Sequence, residues 1–367
     1  MISEEDLRAL RSATRRLLAD TTPASADAHE AAAAAPYDRA TWRAFAERLG
    51  LQGVRVPDEL GGTGLGVDAE LVVHEEMGRA VHGGPFLPVV GQAVPALLEL
   101  IDGETARILL ADIAAGTAVV VPAYDPLGPL PHLQDGAGGP TVTGAVASVL
   151  AGADADGWLV PAVDGSERVL TWVPAGSGAS AHPRETLDLT RGAAEVRLDA
   201  ARAVVLASGP DAERACDTWE SAGALALAAE CVGLADEALR MTVEYVQVRE
   251  QFGQAIAAFQ GVKHQVAELY VLLESARSAL SFAVRSADAE PTLRRAALAV
   301  ARRRCGDAAF RIANETIHLH GGIGFTWEHR AHLYYRRAKA NQVLLDPGGR
   351  QARALAADVV AIYAGAR

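Results

Sequence analysis

Lysine is almost missing from this 367-residue chain: Lys263 and Lys339 are the only two. Arginine supplies the rest of the 34 basic residues against 46 acidic ones, for a formal net charge of -12. With no basic stripe to release counterions, nucleic acid is excluded as a natural partner. The densest basic run, Arg302-Arg303-Arg304, points several ways on a helix and reads as a solvated face. Cysteine is scarce too. Cys216, Cys231 and Cys305 are odd in number and far apart, which excludes a disulfide framework and a zinc site and suits a reducing compartment. No apolar run approaches the roughly 20 residues that a membrane helix needs. The N-terminus opens on acidic residues rather than on the apolar stretch of a secretion signal. These absences lead to the expectation of a cytoplasmic protein with no membrane partner.

Half of the residues are apolar and 22% are charged, an ordinary globular composition. The length allows two or three domains. Ser3 with Glu4, Glu5 and Asp6 starts a capped helix. Asp38 caps another, with Trp42, Phe45 and Leu49 on one face. Val67 to Arg79 and Leu97 to Ala114 also read as helices, and residues 21–36, rich in Ala and Thr, read as a loop. From Gly116 the pattern changes to short β-prone runs at Val119–Val121, Thr141–Val149, Trp158–Val160, Arg168–Val173 and Glu195–Leu198, divided by Gly and Pro. From Ala212 the chain is helical again. The boundaries expected are an N-terminal helical domain at 1–115, a central β domain at 116–205 and a helical bundle at 206–367.

The organising stretch is Arg249-Glu250-Gln251-Phe252-Gly253, followed by Phe259-Gln260. A Pro-free helix precedes it. After it, Val262, Val266, Leu269, Leu273, Ala276 and Leu280 step by four and three, the spacing of a buried helical stripe. The stretch is therefore a helix–loop–helix corner. Gly253 takes the positive φ that ends a helix, Phe252 reads as an apolar plug, and Arg249 brings a planar fork of donors suited to phosphate or carboxylate. An isolated Arg in such a place more often forms a salt bridge. Sixty residues on, His320-Gly321-Gly322-Ile323-Gly324-Phe325 forms a second glycine corner. Val56-Pro57-Asp58-Glu59-Leu60-Gly61-Gly62-Thr63-Gly64 is a glycine loop that lacks the strand and Lys of a phosphate-binding loop.

Together these segments resemble the acyl-CoA dehydrogenase family, in which a YxxxRxxFG…FQ corner, here Tyr245 to Gln260, precedes a long helix and an hGGxGF segment. The resemblance covers nearly the whole chain. It implies a mainly α fold with an N-terminal helical domain, a central β-barrel-like domain and a C-terminal four-helix bundle. The helices expected lie near 212–248, 261–286, 292–320 and 329–362. It implies FAD as cofactor and an acyl-CoA substrate. The implied reaction is α,β-dehydrogenation: the α-proton is abstracted and the β-hydride passes to the flavin. An electron-transfer flavoprotein or a similar acceptor would take the electrons, and a homo- or hetero-oligomer would be the working form. Arg249, Phe252 and Gln260 would then contact the cofactor of a neighbouring subunit, and His318, Gly321 and Gly322 its ADP portion. Trp327-Glu328-His329 resembles an element of actinobacterial members that handle bulky thioesters, steroid side chains among them; Glu328 equally suits a helix cap.

The chain also departs from the family. The usual base is a Glu three residues after a Gln, and the matching segment, Gln342 to Gly348, has Leu345 in its place. Asp346 is the next residue and the candidate base; it reads slightly more readily as an N-cap or turn Asp before Pro347. The alternative base position, early in the helix that contains Gly233, holds Ser221, Ala222, Gly223 and Ala224. Glu220 and Glu230 flank it without matching. The segments that would hold the flavin ring, Val121–Pro126 and Ala147–Leu150, lack the usual hydroxyls and Trp. Two readings therefore stay open: a dehydrogenase active by itself, or a non-catalytic partner subunit that lends cofactor contacts to another chain. A di-iron bundle would need two Glu-x-x-His pairs, and only Glu315-x-x-His318 is present. No Ser lies in a nucleophile elbow.

Overall fold

The longest element, a helix of 40 residues over Gly209–Val248, grows from a sequence of Ala, Leu and Glu, good helix formers, and is buried along most of its length. The computed structural model describes residues 2–21, 38–136 and 138–345, with Arg353, Ala356, Ala357 and Val360. The loop expected after Thr21 lies outside the described residues, as does Asp346.

Among the described residues, five α-helices precede the sheet: α1 (Glu4–Thr21), α2 (Arg39–Leu49), α3 (Val67–Ala80), α4 (Val94–Leu98) and α5 (Glu104–Ala114). The Asp38 carboxylate accepts from Ala40 and Thr41 N–H and caps α2. The single helix expected over Leu97–Ala114 is two: the turn at Glu99–Gly103 divides them, where Asp102-Gly103 favours a turn over a helix. Just before α4, Leu87–Ala93 forms a wide helical turn with bonds five residues apart.

The sheet comprises β1 (Val120–Pro122), β2 (His132–Gly136), β3 (Gly139–Leu150), β4 (Gly157–Asp164), β5 (Glu167–Pro174), β6 (Ala179–Arg184), β7 (Ala193–Arg202) and β8 (Val204–Ser208). Its order is β6-β7-β3-β2-β4-β5-β8, with β1 parallel to β4. Two antiparallel ladders meet at one short β2–β4 pairing, His132 beside Val163. One apolar core runs from the N-terminal helices into this sheet; a second fills the space between the C-terminal helices.

The long helix, α6 (Gly209–Val248), is followed by α7 (Gln260–Arg285), α8 (Pro291–His320) and α9 (Ala331–Leu345). The molecule is thus mainly helical around a central sheet. Among the described residues no helix is long and apolar enough to cross a membrane. Where α3 crosses α6 the backbones nearly touch. A Cβ on Gly78 would lie 2.0 Å from the Glu230 carbonyl oxygen, and one on Gly233 would lie 1.8 Å from that of Glu75.

That crossing leads to a buried ion network. Glu230 of α6 accepts from Arg191 at 2.6 Å, and from Arg337 and Asn341 of α9 at 3.0 Å each. Arg337, fully buried, also donates to Asp188 and to the His82 carbonyl at 3.0 Å. Glu230 and Arg337 together thereby join the N-terminal segment, the loop before β7 and two bundle helices. Burial alone would raise the Glu230 pKa, but Arg191, Arg337 and the Asn341 bond outweigh it and hold the carboxyl at about 2. The pKa is depressed from 4.5, so its stabilisation is present above pH 4.5 and is lost as pH falls toward 2. Glu230→Gln is expected to destabilise the chain by about 3–5 kcal/mol, because buried Arg191 loses its carboxylate partner and Arg337 keeps only Asp188. It is also expected to flatten that acid limb, both measured by urea unfolding across pH.

Candidate functional site

Two sites lie at opposite ends of α6. The first is a cavity of about 280 Å³ near its beginning, with mostly apolar walls. Trp219, Leu227, Leu150 and Leu87 line it, and Val343, Leu344 and Leu345 close it from the end of α9. Every segment that the sequence matched to the flavin- and base-bearing parts of the family borders this space: Pro122–Pro126, Ser148, Gly223–Ala224 and Leu345. Leu345 is 3% exposed, so an alkyl group occupies that part of the wall. The polar groups on the cavity are few: Gln92, Tyr124, Asp125, Ser148, Glu220 and Arg302.

Arg302 corrects the sequence reading of a solvated basic face. It is buried, lines the cavity and donates to the Glu220 carbonyl at 3.1 Å. Arg303, one residue on, is exposed and pairs with Asp307 at 2.6 Å. A run of three arginines gives no sign of which one faces inward; only the packing of α8 against α6 decides it. Glu230 is likewise spent in the ion network and does not line the cavity.

The second site is the corner at the far end of α6. Arg249 leaves the helix in extended backbone, with φ -74° and ψ 122°. Phe252 and Gly253 both take positive φ, 54° and 78°, and a two-residue hairpin, β9 (Glu250–Gln251) with β10 (Gln254–Ala255), closes the turn. Phe252 is no plug within this chain: it is 92% exposed, edge-on to Phe259 at 6.1 Å. Arg249 and Gln260 are exposed. Among the described residues the Arg249 guanidinium has no carboxylate partner.

His318, Gly321 and Gly322 are exposed at the end of α8. Gly321 has φ 61°, and a Cβ at either glycine would meet nothing within 4 Å, so the backbone there is open to close approach. Tyr245 stacks on His320 at 4.4 Å and 23°, and His320 packs on His329 at 4.5 Å. This column of rings joins the two corners that the sequence had singled out separately. His320 itself, read only as part of the glycine motif, is buried and donates through Nδ1 to the Thr316 carbonyl at 2.7 Å. The His329 Nδ1 accepts from Ala331 N–H at 3.2 Å. Among the described residues no three His, Cys, Asp or Glu side chains gather as a metal site; Glu315 instead accepts from Gln265.

The corner's chemistry fits the ADP half of a dinucleotide. It offers an unpaired, exposed guanidinium, backbone without side-chain cover and exposed apolar faces. The cavity fits a flavin ring less well, since Tyr124 and Ser148 are its only hydroxyl groups among the lining residues.

Burial lowers the pKa of both His320 and His329, and at His329 the neighbouring His320 adds to the shift. The column is therefore most stable with neutral rings, above the ordinary value of 6.5, and weakens as pH falls below it. Protection of the amides in residues 316–331, after division by the intrinsic exchange rate at each pH, is expected to fall between pH 7 and 5.5; protection that does not change with pH would contradict this.

The N-terminal domain model of acyl-CoA dehydrogenases matches residues 4–117, and the C-terminal domain model matches residues 221–357. The chain is 32% identical to acyl-CoA dehydrogenase IpdE2 of Mycobacterium tuberculosis over 98% of its own length and 99% of that protein. Among solved structures, a variant of the Tcur3481-Tcur3483 steroid ACAD superposes with a TM-score of 0.84 at 29% identity, covering 98% of this chain and 99% of that one. The ChsE4-ChsE5 complex from Mycobacterium tuberculosis superposes with a TM-score of 0.84 at 23% identity, covering 98% of each chain; it carries the fold alone.

Proposed function

The chain belongs to the acyl-CoA dehydrogenase family, whose members are FAD-dependent flavoproteins, and from that premise we propose that it is the non-catalytic partner subunit of a heteromeric acyl-CoA dehydrogenase. In this reading it lends Arg249, Phe252, Gln260, His318, Gly321 and Gly322 to an FAD seated mainly on another chain.

The observation that carries the reading is Leu345. An acyl thioester is a weak carbon acid and needs a positioned base for its α-proton. The matching place in this cavity is filled by a buried leucine that accepts no proton. Distance adds support. Gly223, on the cavity, and Val248, at the corner, are separated by roughly 38 Å of continuous helix, longer than an extended dinucleotide. A cofactor lying in this chain's own cavity would not reach this chain's own corner, so the corner serves a neighbour. Its exposed Val248 and Phe252, 76% and 92% accessible, suit contact with a second chain better than contact with water.

When bound, FAD supplies the hydride acceptor. The residues of this chain would do the holding: the Arg249 guanidinium balances the pyrophosphate charge, and the open backbone at Gly321 and Gly322 admits it closely. The similar steroid enzyme bears a paired name, Tcur3481-Tcur3483, in keeping with an assembly of two chains. A bulky acyl-CoA, steroid-derived ones included, is the substrate class proposed for the assembly, with an electron-transfer flavoprotein or similar acceptor.

A second reading rests on Glu220 and Asp125, two carboxylates on the cavity wall; with either of them, or with Asp346, as base, the chain would dehydrogenate alone. Purification separates the two. The partner reading predicts a colourless chain that is inactive by itself and gains flavin absorbance and acyl-CoA oxidation on mixing with a homologous chain that keeps its glutamate. A yellow chain, active alone and slowed at least a hundredfold by Asp346→Asn, Glu220→Gln or Asp125→Asn, would overturn it.

A further inference from the structure

Trp327 lies just beyond the second glycine corner and is 48% exposed. It is nevertheless held firmly. The Arg336 guanidinium lies over its ring at 4.8 Å from the centroid. The His332 ring meets it edge-on, at 4.9 Å and 70°. Arg336 is fixed in turn, donating to the Leu187 carbonyl of the loop before β7 at 3.3 Å. A cation covers one face of the indole and an imidazole packs against it at a steep angle, yet nearly half of the side chain stays exposed. Phe325, two residues earlier, is 85% exposed and, among the described residues, has no ring partner; it suits contact with another chain rather than a fixed platform.

A half-exposed indole held beside a guanidinium offers what a purine nucleotide needs: a π-surface for the base and positive charge nearby. Pre-ordering by Arg336 and His332 lowers the entropy lost when a base stacks. We infer that Trp327 is an adenine-stacking platform and Arg336 its positioning residue, so that the second corner grips an adenine nucleotide by its base as well as by its phosphates. This rests on the reading of Gly321–Gly322 as a dinucleotide contact. The shared chemistry is the adenosine diphosphate moiety, which both FAD and coenzyme A carry.

The test uses the chain assembled with the homologous partner that keeps its glutamate, stripped of flavin and titrated separately with ADP, FAD and coenzyme A by calorimetry, with this chain as wild type or as the Trp327→Ala, Trp327→Phe or Arg249→Ala variant. Absence of ADP binding by the wild-type assembly would overturn the inference. Loss of the stack is expected to weaken ADP binding roughly tenfold in Trp327→Ala; Trp327→Phe, which keeps an aromatic face, retains most of it. A tenfold loss seen with FAD assigns the adenine to the flavin cofactor; a loss confined to coenzyme A assigns it to the thioester. ADP affinity unchanged in Trp327→Ala overturns the inference, and so does equal weakening in Trp327→Phe. If Arg249→Ala weakens ADP and FAD binding while Trp327→Ala does not, the platform fails and the corner reading stands. If only Trp327→Ala weakens them, the assignment of Arg249 fails and the platform stands.

Discussion

The structure depends on one buried carboxylate. Glu230 sits midway along α6, within reach of Arg191, Arg337 and Asn341, and through Arg337 the network extends to Asp188 and the His82 carbonyl. An unpaired buried charge costs several kcal/mol, so each partner must be delivered to this point: Arg337 and Asn341 by α9, Arg191 by the loop before β7. Once they arrive, the direction of α9 is set. Its last turn then brings Val343, Leu344 and Leu345 to the cavity, and its first turn follows the glycine corner.

The network lies on a helix that is continuous over 40 residues, so the two ends of α6 lie far apart. On the proposed reading, chemistry at the start of the helix and cofactor contacts at its end would belong to two different cofactors, and the chain would supply half of a site at each end. The cavity has lost its usual base and most of its hydroxyls, while the corner keeps its cation, its open glycine backbone and its exposed rings. Selection on a subunit that lends contacts without catalysing would leave this combination.

Much of the corner was legible in the sequence, because its residues act through backbone conformation and spacing along one strand of chain. Gly253, Gly321 and the spacing of Arg249 to Gln260 follow local rules, and the fold class came with them. What escaped is what only packing determines. Arg302 looked like part of a solvated run because its two basic neighbours share no face with it; α6 alone decides that it points inward. Phe252 looked like a plug because nothing local says that the turn holds its ring 92% exposed. Strands β2, β6 and β8 were missed since β2 and β6 are mostly solvent-facing, with burial too one-sided or too slight to set up an alternation, and β8 lies at the edge of the sheet. The break before α5 was written in Asp102-Gly103 and was overridden by the strong apolar period on either side. The Tyr245–His320–His329 column joins residues far apart along the chain and has no sequence signature.

The central claim is that this chain's corner holds a cofactor seated on a different chain. The most direct measurement is the flavin content of the purified assembly carrying Arg249→Ala in this chain only, with subunit composition checked by native mass spectrometry. The account predicts an intact assembly that has lost most of its flavin. An intact assembly that keeps its full flavin complement would contradict it.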